Sequence, residues 1–132
     1  MSKPEVRQGL RYTKDHEWAK LQNGEVLIGI SSFAVSQLGD ITLVNIDVDP
    51  GDQIIAGKSF GTIESVKTLS DLFGPVDGSV VRVNVDLEER PELINEDCYA
   101  GWMISITPMR PEALDELMDA AAYTAYLESS AH

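Results

Sequence analysis

One segment concentrates the side chains that could do chemistry: Gly61-Thr62-Ile63-Glu64-Ser65-Val66-Lys67-Thr68-Leu69-Ser70-Asp71-Leu72. Two strands meet at Val66-Lys67. A short hairpin usually wants Asn-Gly or Gly at its tip; this tip has neither and sets an apolar residue beside a lysine. Turn chemistry does not explain that choice, whereas recognition does, because a modifying enzyme must read the tip and find one amine there. Most lysines are solvated and idle, and Lys58, in a glycine-containing turn without these flanks, is the comparison. Glu17 and Asp71 are acids in an acidic chain, so solvated carboxylates are the plain alternative to a binding role. His16 has only His132 and Cys98 to join it in a metal site, too few for one, and reads as structural. Trp18 and Trp102 read as core or groove-wall residues, and Cys98 as an inert thiol. No Ser-His-Asp order is convincing, and Gly29 and Gly39 stand too far apart to cradle a phosphate.

The elements that position this segment read as strands. Val26 to Ile30 follows the Asn23-Gly24 turn signal, and Ser31 or Ser32 caps a short helix, Phe33 to Leu38, closed by Gly39. Ile41 to Val48 alternates, with Ile41, Leu43, Asn45 and Asp47 on one face, until Pro50-Gly51-Asp52 turns the chain. Ile54-Ile55, Phe60 to Ser65 and Leu69 to Phe73 follow, and Asp77-Gly78 is a hairpin signal before the alternating Ser79 to Val85. Leu87 to Asp97 reads as a polar loop, and Trp102 to Ile106 as the last strand. From Pro111, Leu114, Leu117, Met118, Ala121, Ala122 and Ala125 keep a helical rhythm, with Asp119 able to cap a break into two shorter helices. This tail is expected to pack on the sheet, and 129–132 to fray. The similar units Val48-Asp49-Pro50-Gly51-Asp52 and Val76-Asp77-Gly78 flank Lys67 and suggest a sheet folded about a pseudo-symmetric point.

The 132 residues, 43% apolar and 24% charged, suit one domain over 1–132, with a strand-rich core of about 10–107 and a helical tail of about 110–128. Asp and Glu outnumber Lys and Arg by 22 to 10. The net charge of -12 argues against nucleic acid and anionic membranes and favours partners with basic docking faces. One cysteine excludes an internal disulfide, no stretch is apolar enough to span a membrane, and Met1 to Gln8 lacks the apolar core of a signal peptide. The expectation is a soluble protein of a reducing compartment.

Glu64-Ser65-Val66-Lys67-Thr68-Leu69-Ser70-Asp71-Leu72 resembles the lipoylation motif of the glycine cleavage system H-proteins. Arg11-Tyr12-Thr13-Lys14-Asp15-His16-Glu17-Trp18 is similar to that family's opening segment. Gly29-Ile30, Phe33-Ala34, Leu38-Gly39-Asp40-Ile41, Pro91-Glu92-Leu93-Ile94-Asn95-Glu96-Asp97 and Gly101-Trp102-Met103-Ile104 match as well. The likeness runs from about Leu10 to Leu127. It departs at Cys98, where the family usually has proline, and at Tyr99-Ala100-Gly101, a shorter stretch than usual.

The resemblance implies a lipoyl/biotinyl-type β-sandwich or flattened barrel, with a short internal helix and C-terminal helices. It implies lipoate amide-linked to Lys67, with Glu64, Ser65, Val66, Ser70 and Asp71 read by the lipoyl-attaching enzymes. It implies a carrier and not an enzyme, taking an aminomethyl group from glycine decarboxylase (the P-protein) to the tetrahydrofolate-dependent aminomethyltransferase (the T-protein). Dihydrolipoyl dehydrogenase (the L-protein) reoxidises the dithiol. Acylation needs the neutral amine of a group whose pKa is ordinarily about 10.4, so the transferase must remove a proton. Burying methylenes is worth about 0.8 kcal/mol each, so a loaded arm tends to fold back onto its own domain. Glu17, Asp71 and Asp15 are the candidates to line that pocket, where acids would hold a cargo amine as its ammonium. A monomer suits such a shuttle, and the expected place is the cytoplasm of a bacterium, or the mitochondrial matrix of a eukaryote. Three other readings stand beside this one: a biotin carrier, disfavoured because Val66 and Thr68 replace the usual methionines; an H-like protein that stores or relays lipoyl groups; and an independent hydrolase or lyase built on Glu17, Asp71 and His16.

Overall fold

A computed structural model describes residues 5–130. Nine strands build it: β1 Arg11–Tyr12, β2 Glu17–Gln22, β3 Glu25–Ile30, β4 Ile41–Ile46, β5 Gln53–Ile54, β6 Ser59–Ser65, β7 Leu69–Phe73, β8 Gly78–Val83 and β9 Ile104–Pro108. The helices are α1 Ser32–Leu38, α2 Val85–Glu89, α3 Leu93–Glu96 and α4 Ala120–Ser130, with a 3-10 helix over Pro111–Glu116. The strands form a six-stranded sheet in the order β1-β2-β3-β9-β8-β5 and a three-stranded sheet β4-β6-β7, each antiparallel throughout. The result is a β-sandwich of two open sheets, not a closed barrel.

Strand alternation divides the apolar residues between two cores. Val26, Ile28 and Ile30 of β3 face inward with Ala19, Ile104 and Ile106, and meet Val44, Phe60, Ile63 and Leu72 of the small sheet. Trp18 and Leu27 point the other way and pack with Tyr12 and Tyr123. Trp18 lies opposite Gly29 in the β2–β3 register, where a Cβ would stand 2.6 Å from the indole. Its Nε1 donates to the Cys98 carbonyl at 3.1 Å.

The short helix over 33–38 forms as expected. Ser31 Oγ accepts the Ala34 N–H at its start, and Gly39 closes it with φ 80°. Other expectations need correction. Asp77-Gly78 is no hairpin turn: β7 and β8 belong to different sheets, and the chain crosses between them. Gly78 is required because its Cβ would lie 2.5 Å from the Thr107 carbonyl of β9. Residues 87–97 are not a loop, since α2 and α3 fold there around the buried side chains Leu87 and Ile94. The alternation of β4 breaks at a bulge between Ile41 and Leu43, which turns Ile41 and Val44 inward together. β8 ends at Val83, so Val85 is an exposed helical residue, and β9 starts at Ile104.

The tail breaks near Asp119, whose Oδ1 accepts the Ala122 N–H. That break changes the phase of the helix. Ala120 and Tyr123 are buried, while Ala121, Ala122 and Ala125 face solvent. Tyr123 stacks on Tyr12 with ring centroids 4.3 Å apart, which fastens the tail to the outer face of the large sheet. Residues 129 and 130 end α4, and the expected fraying at 131 and 132 lies outside the described residues.

Candidate functional site

Strands β6 and β7 deliver Lys67 at the tip of their hairpin. The Ser65 N–H donates to the Thr68 carbonyl at 2.8 Å, closing the turn. Ser65 Oγ then accepts the N–H groups of Lys67 and Thr68, each at 3.2 Å. Among the described residues, only His16 and Asn23 combine a side chain with a left-handed φ. The tip therefore needs no glycine, because a serine hydroxyl satisfies its amides. A further tie comes from outside the hairpin: the Val66 N–H donates to the Asp40 carbonyl at 3.1 Å.

Lys67 is exposed, and no carboxylate among the described residues forms a salt bridge with it. Its stem passes over Gly39, where a Cβ would meet Lys67 Cε at 3.5 Å. The amine thus lies beside the C-terminal end of α1, whose partial negative charge suits a cation. Lys58 is exposed too, in a turn where its N–H donates to the Ile55 carbonyl.

The register sorts the flanking residues onto two faces. On the outward face of the small sheet, Glu64 stands between Leu43 and Leu69, and Asp71 lies opposite Thr62 in the next row. Asp71 accepts from Ser59 Oγ at 3.4 Å. Ser70 lies opposite Ile63 yet is exposed near the end of the sheet, and Ser65 is buried with its hydroxyl turned to the turn amides. Val66 is 67% exposed and Leu69 63%. The apolar members Leu43 and Leu69, together with Gly39 and Asp40, escaped the reading of the sequence because they touch the tip only through strand pairing and α1.

Glu17 is 2% exposed. Thr13 Oγ1 donates to its Oε1 at 2.7 Å, and the Phe73 N–H to its Oε2 at 3.3 Å. Asp71 sits two residues from Phe73 on the solvent side, and Asp15 is exposed with its N–H on Thr13 Oγ1. Loss of water pushes the Glu17 carboxyl up to about 7, and the two hydrogen bonds only partly oppose that. A carboxyl raised in this way binds its proton more tightly folded than unfolded. Stability should therefore be highest below its ordinary pKa and fall as pH rises through about 7. Urea unfolding at pH 5 and pH 8 should show the natural protein losing about 3 kcal/mol relative to Glu17→Gln. Equal pH slopes in the two proteins would remove the buried-carboxyl account.

His16, with φ 69°, places Nδ1 2.7 Å from the Tyr123 hydroxyl, which in turn lies 2.8 Å from Ser31 Oγ. Its ring packs on Phe33 at 4.6 Å, so it joins the tail to the start of α1. Cys98 is buried, and burial pushes its thiol up to about 11, which makes it a poor nucleophile. The Arg82 guanidinium lies over the half-buried Trp102 at 5.0 Å. No helix is long and apolar enough to cross a membrane among the described residues.

Known proteins share this arrangement. The family model for the glycine cleavage H-protein matches residues 10–130. A glycine cleavage system H protein of Anaeromyxobacter sp. (strain K) is 49% identical over 125 residues, covering 94% of this chain and 97% of the relative. A probable glycine cleavage system H protein of Thermococcus gammatolerans is 48% identical over 126 residues, covering 94% and 93%. The crystal structure of a glycine cleavage system H protein from Mycobacterium marinum superposes with a TM-score of 0.85 at 37% identity, covering 93% of this chain and 99% of that one. Sequence and fold agree over nearly the whole length: the chain belongs to the glycine cleavage H-protein family.

Proposed function

We propose that Lys67 carries lipoate as an amide on Nζ, and that the protein is the mobile carrier of the glycine cleavage system and not itself a catalyst. The observation that carries this reading is one exposed amine, free of ion pairs among the described residues, on a tip whose backbone amides are all engaged. The absent Gly39 side chain leaves room for a stem to turn. When attached at Lys67 Nζ, the lipoyl group would supply a sulfur able to carry a one-carbon amine between glycine decarboxylase and the tetrahydrofolate-dependent aminomethyltransferase, with dihydrolipoyl dehydrogenase as the partner that would restore its disulfide. The protein's part is to hold the attachment point out from the sheet and to present a surface to each partner. Acylation removes one positive charge, taking the net charge from -12 to -13. A tethered group also reaches a docked active site at high effective concentration.

Glu64, Val66, Ser70 and Asp71 are the exposed groups a lipoyl-attaching enzyme would read, while Ser65, the other member of that set, shapes the turn that presents them. Asp15, Glu17 and Asp71 are the acids that an arm laid back on the domain would meet. Glu17 would hold a proton up to about pH 7 unless a cation approached it. The engagement of His16 Nδ1 with Tyr123 and the burial of Glu17 disfavour a hydrolase or lyase on those residues. Intact mass after co-expression with a lipoate-attaching enzyme tests the proposal. The natural protein should gain one lipoyl increment and Lys67→Arg none; no increment on the natural protein would end it.

A further inference from the structure

The 91–97 segment matched a family motif without acquiring a role. In the structure Asn95, on α3, reaches the lysine hairpin through one intermediary. Its Oδ1 accepts the Ile41 N–H at 2.8 Å, and its Nδ2 donates to the Gly39 carbonyl at 3.0 Å. One side-chain amide thus brackets Asp40 on both sides. Asp40 is the residue whose carbonyl takes the Val66 N–H, next to Lys67, and Gly39 is the residue under the Lys67 stem. α3 is itself fixed, because Ile94 is wholly buried in the main core.

We propose that Asn95 is a positioning residue for the acylation of Lys67. Its amide holds the 39–41 segment in the one geometry that pins Val66 and seats the lysine stem. This rests on Lys67 being the acylated residue. The geometry suits an amide, which sets an N–H donor and a carbonyl acceptor on one carbon and so spans the Ile41 N–H and the Gly39 carbonyl together at any pH. Alanine at 95 removes both bonds. Asn95→Asp keeps an acceptor for Ile41 and sets an oxygen against the Gly39 carbonyl oxygen.

The test uses the full, unmodified chain, read first by amide hydrogen exchange and then by acylation kinetics with a lipoate-attaching enzyme. In Asn95→Ala the Val66 amide should exchange about tenfold faster, the size expected for one lost hydrogen-bonding restraint. The amides of Ile28 and Ile106, in the large sheet, should hold their rates. The KM for the carrier should rise about fivefold with kcat within twofold, since the defect lies in presentation and not in the amine. Asn95→Asp should fall between, and it provides the measurement if the alanine variant does not fold. An unchanged Val66 rate, equal loosening at Ile28 and Ile106, or unchanged KM would each overturn the proposal. Failure of the natural protein to be acylated at Lys67 would instead strike the carrier function, and the exchange result would still report whether Asn95 holds the tip.

Discussion

Lys67→Arg is expected to fold like the natural protein and to reduce glycine-dependent one-carbon transfer to background when assayed with the three partner enzymes. The two halves of that result have separate causes. The native side chain is exposed and has no ion-pair partner among the described residues, so its replacement should shift stability by no more than about 0.5 kcal/mol. Arginine keeps the positive charge beside α1, but its guanidinium does not give up a proton near neutral pH and offers no amine to acylate. A surface lysine that merely contributed charge would tolerate the exchange. Unfolding in urea should give matching midpoints for the two proteins while turnover separates them completely. Turnover by the arginine variant at the natural rate would show that the reacting arm is attached elsewhere or not needed.

Gly61→Ala is expected to have the largest effect on the fold. Gly61 lies opposite Ile46 in the β4–β6 register, and a Cβ there would collide with the Asn45 carbonyl oxygen and stand 3.2 Å from Ile46 Cα. Both neighbours are backbone in a paired strand, so neither can swing aside as a flexible side chain would. Relief requires β4 to part from β6, which carries the lysine hairpin at its far end. The cost should be about 3 kcal/mol, at the upper end for overpacking, and Tm should fall by about 10 °C. Gly101→Ala is the companion measurement. Its Cβ would meet the Asp97 carbonyl at 3.4 Å, an ordinary distance, and its Tm should stay within about 3 °C. If both variants melted alike, the close approach at Gly61 would not be what demands glycine there.

The strands and the lysine tip were legible because their signals are local. Alternation marks β3 and β6, and the helix over 33–38 announces itself through Ser31 and Gly39. What escaped reading depends on partners distant in the chain. Asp77-Gly78 carries the composition of a hairpin, yet Gly78 answers to the Thr107 carbonyl 29 residues on, a steric demand that resembles a turn signal. Residues 87–97 look polar because each short helix buries only one large side chain, Leu87 or Ile94. In the tail, the interruption near Asp119 moved burial from Ala121 and Ala122 to Ala120 and Tyr123. At the site, Lys67 could be singled out by type and setting. The hold on it could not, since Asp40 acts through a backbone carbonyl that every residue possesses and the Asn95 side-chain amide reaches the neighbouring Ile41 from 54 residues away in the chain. Glu17 was legible as an acid but not as a buried one, because its cover is the backbone of β7 and the hydroxyl of Thr13.

The strand pairing sets an order on how the molecule can be completed as it is synthesised. The sheet β4-β6-β7 lies wholly within 41–73, so its hydrogen bonds close between neighbours in the chain. The sheet beneath it does not: β3 waits for β9 at Ile104–Pro108, and the Tyr12 ring waits for Tyr123. At a synthesis rate of about 5–20 residues per second, the lysine hairpin leaves the ribosome roughly 3 to 10 s before the tail that fastens the large sheet, with β8 and β9 still to come. During that interval the inner face formed by Val44, Ile63 and Leu72 has only the β2–β3 part of its opposite layer, without Ile104 and Ile106 of β9. Lys67 therefore exists in the nascent chain well before the surface around it is complete.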